Sequence, residues 1–327
     1  MPSVVSRANY SGGESGVRDE SATVPLEITV PSDLAGLRFD QALARLVPQH
    51  SRSRLKDWID AGHVRLDGAI AQPKRRVCGG ERIVIDPVEE PRALADAPQA
   101  IELAIVHEDD AILVVDKPAG LVVHPGSGNR DGTLLNALLH HAPRVAALPR
   151  AGIVHRLDKD TSGLLAIAKT AEAQTDLVRQ LQARTVNREY VAAVHGDVAR
   201  TTTIDAPIGR HPRIRTTMAV VASGKPARTH VVPLERFGSA TLVQCTLETG
   251  RTHQIRVHLA AIGHPLIGDP AYGTRRGAAS IPAFDRQALH AIRLALIHPV
   301  TQRRRQWEAP PPSDFQRLLS QLRTAAR

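Results

Sequence analysis

Apolar positions along this chain repeat with two different periods. Between Leu37 and Pro48, residues Phe39, Ala42, Leu43, Leu46 and Val47 fall at i, i+3, i+4, i+7 and i+8, which predicts a helix with one buried face that stops at the proline. A second helix is expected just after it, with Leu55, Trp58 and Ile59 on its apolar face, Ser51 or Ser53 as cap and Gly62 placed to end it. In "HVRLDGAIA" Val64 and Leu66 alternate with polar residues ahead of Asp67-Gly68, the signature of a hairpin. Further on, "AILVVDK", "REYVAAVHG", "HVVPLERF" and "ATLVQCTLE" read as strands, and "TLLNALLHHA" and "AQTDLVRQLQA" as helices. Several of these strands follow one another with no helix between them, so the expected fold class is α+β on a mixed, largely antiparallel sheet with flanking helices.

The breaks in this patterning divide the chain. Residues 1–25 are rich in Ser, Gly and alternating charge and offer little to bury, as a disordered tail does. Residues 26–86 form a small first domain, and 87–100, "PVEEPRALADAPQA", have the Pro, Ala and acidic content of a linker. Residues 101–327 form the larger second domain, a division that suits 327 residues.

Charge adds a class of partner. The chain carries a formal net charge of +9, which biases it toward polyanions, nucleic acid first and an anionic membrane surface second. The balance is local as well: from Leu37 to Asp86 ten Lys and Arg stand against six acidic residues. Within "SRSRLK", Arg52, Arg54 and Lys56 sit at the start of a short predicted helix, where backbone N–H groups also attract phosphate, and Arg65 follows on the hairpin. No apolar run approaches the roughly 18 residues that cross a bilayer, and no secretory pattern opens the chain. Cys78 and Cys245 show no C-x-x-C spacing and are expected as buried, inert thiols, so the expected compartment is the cytoplasm.

Several chemistries fail on spacing. Gly126, Gly128 and Gly132 give G-x-G-x-x-x-G rather than a dinucleotide fingerprint, and no Walker lysine motif occurs. His253 and His258 lie five apart, on opposite faces of a strand or about 140° apart on a helix, which does not let them share one ion. What stands out is "HRLDKDTSG", His155 to Gly163, which packs five ionisable groups between the apolar runs "GIV" and "LLAIA". Asp158 and Asp160 lie two apart, and in an extended segment they would face the same way roughly 6–7 Å apart, a separation that a glycosidase acid and base also use. The same charges would equally serve to cap a helix or pair within a loop.

The longer string "GIVHRLDKDTSGLLAIAK" resembles the signature of the RluA/RluD family of pseudouridine synthases, and the likeness continues through "VVDKPAGLVVHP", "REYVAAVHG", "GKPARTH", "LETGRTHQIRVHLAAIGHPLIGDPAYG" and "RQALHAIRLALIHPVT". Residues 37–86 are similar to the S4 RNA-binding module. The resemblance implies a base-flipping isomerase of large-subunit ribosomal RNA, acting on uridines of helix 69, with no cofactor or metal and with ribosomal RNA or its precursor particle as partner. A monomer is expected. The family's catalytic aspartate falls on Asp158, its basic partner on Arg256, the tyrosine that stacks on uracil on Tyr190, and the arginine that enters the vacated base position on Arg156. Arg256 is expected on a strand. Lys225, Arg228 and the tract Arg303-Arg305 are further candidates for phosphate contact. Three other readings remain open: a synthase of the same family acting on other ribosomal RNA uridines, a nucleoside or glycoside hydrolase using Asp158 with Asp160, and a non-catalytic RNA-binding protein carried by the S4-like module.

Overall fold

The structure is a computed structural model, which describes residues 25–48, 52–86, 97–126, 128–273 and 281–326, with the backbone alone for 52–54 and 57. The chain forms two compact units that divide between Glu90 and Pro91. The expected tail, the helix cap at Ser51 and most of the expected linker lie outside what is described, while Ser53, the alternative cap, falls inside the second helix.

In the first unit β1 (Leu26–Thr29) is followed by the helices α1 (Phe39–Leu46) and α2 (Arg52–Asp60), then by β2 (Val64–Leu66), β3 (Ala69–Ile70) and β4 (Arg82–Ile85). The four strands make one sheet in the order β1-β4-β2-β3. Asp67 and Gly68 both take positive φ between β2 and β3, the backbone of a tight hairpin turn. Phe39, Ala42 and Leu43 from α1 and Leu55, Trp58 and Ile59 from α2 pack with Val64, Leu66, Ile83 and Ile85 of the sheet. Cys78 is exposed, contrary to expectation, because it lies in an irregular segment whose backbone is tied to the Glu81 carboxylate and not to the core.

The second unit contains β5 (Ile105–Glu108), β6 (Ile112–Lys117), α3 (Leu134–His141), β7 (Ser162–Ala168), α4 (Ala171–Gln182), β8 (Asn187–His195) and β9 (Thr202–Asp205). It continues with the hairpin β10 (Ile208–Arg210) and β11 (Met218–Val220), then β12 (Arg228–Arg236), β13 (Ala240–Leu247), α5 (Gln254–Ala261), β14 (Leu289–Ile297), β15 (Arg304–Glu308) and α6 (Ser313–Ala325). A nine-stranded sheet runs β5-β6-β7-β14-β8-β13-β12-β9, with β15 also paired to β14. Among the described residues β7 against β14 is its one parallel pairing. The sheet is therefore mixed and largely antiparallel. Residues 97–99 dock on this unit: Asn136 donates to the Ala97 carbonyl, and the Gln99 side chain accepts the Gly132 N–H.

β7, from Leu164 to Ala168, and β8, from Tyr190 to Val194, read as continuous apolar runs because both of their faces are covered. Helix α4 packs through Ala173 and Leu177 on one face, and α3, through Leu134, Leu135 and Leu138, helps close the other. Only one residue of the "GIV" run pairs with the sheet, Ile153 in an isolated bridge to Ile167, so this run is not a full strand. Gly163 opens β7 with φ +116°, and a Cβ there would stand 2.3 Å from the Ala291 carbonyl oxygen. Glycine lets β7 and β14 come this close, and it fixes where the charged loop enters the sheet.

Candidate active site

The loop ahead of β7 is held from behind by three side chains. Lys117, 1% exposed at the end of β6, donates to the carbonyls of Pro118, Leu121 and Lys159 at 2.8, 2.9 and 2.9 Å, which takes all three protons of an ammonium group. Burial draws its pKa down to about 7 against the favourable charges of Asp160 and Asp158. Arg286 donates to the Asp160 carbonyl at 3.0 Å and forks onto Asp314 of α6, while Gln287 donates to Thr161 Oγ1. A turn closes from Thr161 N–H to the Asp158 carbonyl. The loop's backbone is thus fixed on three sides before any side chain is considered.

From this loop Asp158 faces a cleft of about 970 Å³. Arg256 donates from Nη1 to Asp158 Oδ2 at 3.1 Å, and among the described residues no group hydrogen-bonds to Oδ1. Arg256 is held in turn by Asp269, whose fully buried carboxylate takes Nε at 2.7 Å and Nη2 at 2.8 Å and also accepts the N–H groups of Ala271 and Tyr272. Burial opposes charge on Arg256, but the Asp269 hydrogen bonds and the charges of Asp269 and Asp158 raise its pKa above the ordinary value. Burial likewise works against the Asp269 carboxylate, and Arg256 more than offsets it, so the pKa falls.

Arg256 lies on helix α5 and not on a strand. Ile255, Val257 and Leu259 alternate as strand residues do, but Gln254 to Leu259 are all buried, so the helix has no polar face to reveal its period. Its polar side chains are satisfied internally: Gln254 and His258 bond Thr229, and His258 also bonds the Ala206 carbonyl. His253 starts the helix in a left-handed conformation. The Tyr272 hydroxyl accepts the Met218 N–H and hydrogen-bonds with His253 Nδ1 at 2.8 Å, and His253 Nε2 lies 3.9 Å from Asp158 Oδ1. Burial lowers the His253 pKa, with Asp158 opposing.

Tyr190 lines the cleft from β8, 6% exposed, with Cys245 and Ala291 as its neighbours across the sheet. Burial, helped by Asp158 and Cys245 and opposed by Arg188, raises its pKa and keeps the phenol neutral. Arg156 is exposed at the same cleft. Six arginines line it (Arg150, Arg156, Arg184, Arg188, Arg251 and Arg256) against the two carboxylates of Asp158 and Glu248, so the cleft is positive. Asp160 is absent from this lining: it faces a second cavity beside Arg286, Asp314 and Arg317. The paired-carboxylate arrangement of a glycosidase is therefore not formed.

The structure brings Asp158, Tyr190, Arg256 and Arg156 together. In the first unit Lys56 is exposed and paired with Asp60 at 2.5 Å, and Arg65 is exposed on β2. The side chains of Arg52 and Arg54 lie outside the described residues. Lys225 and Arg303-Arg305 are exposed, whereas Arg228 is engaged by Asp205 and Glu248. Lys117, Asp269, His253 and Tyr272 escaped sequence reasoning as site residues. "GDPAYG" marks a turn, and the same aspartate that caps that turn buttresses Arg256.

An arginine-held carboxylate in a cleft lined by six arginines suits an enzyme that acts on a polyanion. Residues 111–261 match the RNA pseudouridylate synthase family and residues 37–83 the S4 domain. The chain is 54% identical to the ribosomal large subunit pseudouridine synthase D of Nitrosomonas europaea over 96% of its own length and 93% of that protein's, and 54% identical to the protein of the same name from Pseudomonas aeruginosa over 90% and 94%. Among solved structures, human RNA pseudouridylate synthase domain containing 1 superposes with a TM-score of 0.53 at 31% identity, covering 65% of this chain and 85% of that one. The chain belongs to the RNA pseudouridylate synthase family and is an RNA pseudouridine synthase with an S4 RNA-binding domain.

Proposed function

We propose that this protein converts specific uridines of large-subunit (23S) ribosomal RNA, in helix 69, to pseudouridine, with Asp158 as the reacting carboxylate. The observation that carries the reading is the chain Asp269–Arg256–Asp158 at the floor of a basic cleft. The names of the relatives supply the class of RNA. The reaction breaks the N1–C1′ bond, turns the base within the cleft and joins C5 to C1′. The C5 proton is lost, N1 regains one, and no atom is gained or lost overall.

Each residue has a part in this scheme. Arg256 fixes one oxygen of Asp158 and aims the carboxylate into the cleft, leaving the other oxygen open to the substrate. That oxygen serves either as nucleophile, toward the sugar or the base, or as base toward a ribose proton. Tyr190 provides an apolar ring for the flipped uracil, and Arg156 fills the space that the base leaves in the stack. The first unit, with Arg52, Arg54, Lys56 and Arg65, supplies sequence-independent contacts to phosphate. The enzyme works as a cytoplasmic monomer on ribosomal RNA or its precursor particle.

Carbodiimide adduct formation followed by primer extension on large-subunit RNA, incubated with the protein or with Asp158→Asn, tests this directly. Stops in helix 69 that vanish with the variant are expected. Stops at other positions would move the substrate elsewhere, and none on RNA or particles would remove the reading.

A further inference from the structure

One buried cation in the cleft has no use in the scheme above. Arg188 stands two residues before Tyr190 on β8, so both side chains leave the strand on the cleft face, while Glu189 between them points the other way to Arg293 and Gln244. Arg188 is 7% exposed. Its Nε has no hydrogen-bond partner, and among the described residues no carboxylate pairs with its guanidinium. Of the two acids in the cleft lining, Asp158 is taken by Arg256, and Glu248 by Arg184, Arg228 and His230.

The other buried arginines are served differently. Arg256 has two aspartates, and Arg286 has Asp314 and backbone carbonyls. A guanidinium withdrawn from water is costly unless a hydrogen-bonded anion compensates it. Around Arg188 the chain supplies room and no anion. A Cβ on Gly250, in the loop that leads to α5, would lie 2.8 Å from Arg188 Nη1, so glycine there keeps the guanidinium's place open.

We propose that Arg188 seats a phosphodiester of the RNA, the one flanking the target uridine, and so anchors the backbone while Tyr190 and Asp158 engage the flipped nucleotide. The fork of a guanidinium fits two phosphate oxygens at once, and a phosphate supplies the charge that a neutral uracil carbonyl lacks. The inference rests on the reading of this cleft as the place where the uridine reacts.

The test is single-turnover pseudouridine formation on synthetic RNA spanning the mapped site, carrying either natural linkages or an uncharged methylphosphonate 5′ or 3′ of the target. The wild type should lose on the order of 10- to 100-fold in rate from one of the two uncharged linkages. Arg188→Gln should be slower by a similar factor on natural RNA and lose nothing further from that linkage. Arg188→Lys, which keeps the charge without the fork, should fall between and remain sensitive to the linkage. Equal sensitivity in wild type and Arg188→Gln, or a wild type indifferent to both linkages, would overturn the proposal. If thermal melting shows Arg188→Gln to be unfolded, Gly250→Ala takes its place, since it crowds the guanidinium and should blunt the same sensitivity. A wild type that modifies no RNA at all would instead overturn the reading of the reaction.

Discussion

Asp158 and Asp160 are two residues apart in one loop, yet they belong to two different regions of the molecule. Asp158 faces the basic cleft and meets Arg256, whereas Asp160 faces the cavity lined by Arg286 and Asp314 and gives its backbone carbonyl to Arg286. In the proposed scheme one side of the loop does the chemistry, and the other is the clamp that holds it still. Composition alone does not separate these roles, since both sides pair an aspartate with an arginine. The difference lies in what else is there: the cleft gathers six arginines and a tyrosine against two acids, while behind the loop Arg286 is already neutralised by Asp314.

The sharpest way to break this comparison is to exchange the effects of its two acids. Asp158→Asn should reduce turnover by at least about 1,000-fold with RNA affinity nearly kept, as measured by single-turnover assay and filter binding. Asp269→Asn leaves Asp158 in place but loosens the arginine that aims it. A misplacement of about 1 Å costs on the order of 100-fold, and that drop should appear in kcat more than in KM. Arg286→Gln strikes the back of the loop: it leaves Asp314 unpaired and the Asp160 carbonyl without its donor, and should cost about 2–3 kcal/mol in chemical unfolding.

A smaller effect concerns pH. His155 is neutral in the fold, where Nε2 accepts the Ala166 N–H and burial, with Arg188 adding, draws its pKa to about 3. As pH falls through about 6.5 the unfolded chain takes up a proton that the folded one refuses until about pH 3. Stability therefore declines on acidification across that window, by at most about 1.4 kcal/mol per pH unit. His124, drawn to about 4 by burial and the charges of Arg150 and Arg156, acts in the same direction. His155→Gln keeps an acceptor and removes the titration, so its melting temperature should fall less steeply between pH 6.5 and 4.

The extent to which this was legible in the sequence follows from where the contacts lie along the chain. The charged loop, the strand with Tyr190, α1 and the Asp67-Gly68 hairpin are local, and each shows in a short run of residues. The identity of Arg256 as the partner of Asp158 came only from resemblance, because 98 residues separate the two. Its helix was misread as a strand because a helix buried all round presents alternating apolar residues and no polar face. Lys117 and Asp269 look like an ordinary strand end and a turn residue. Their roles exist only once the sheet has brought Lys159 and Arg256 to them.

The most direct measurement is tritium release from large-subunit RNA labelled at C5 of uridine, comparing wild type, Asp158→Asn and Asp160→Asn. The account predicts release by the wild type, none by Asp158→Asn, and a rate within about threefold of wild type for Asp160→Asn, whose side chain lies outside the cleft. Release by Asp158→Asn, or loss of activity in Asp160→Asn as complete as in Asp158→Asn, would contradict it.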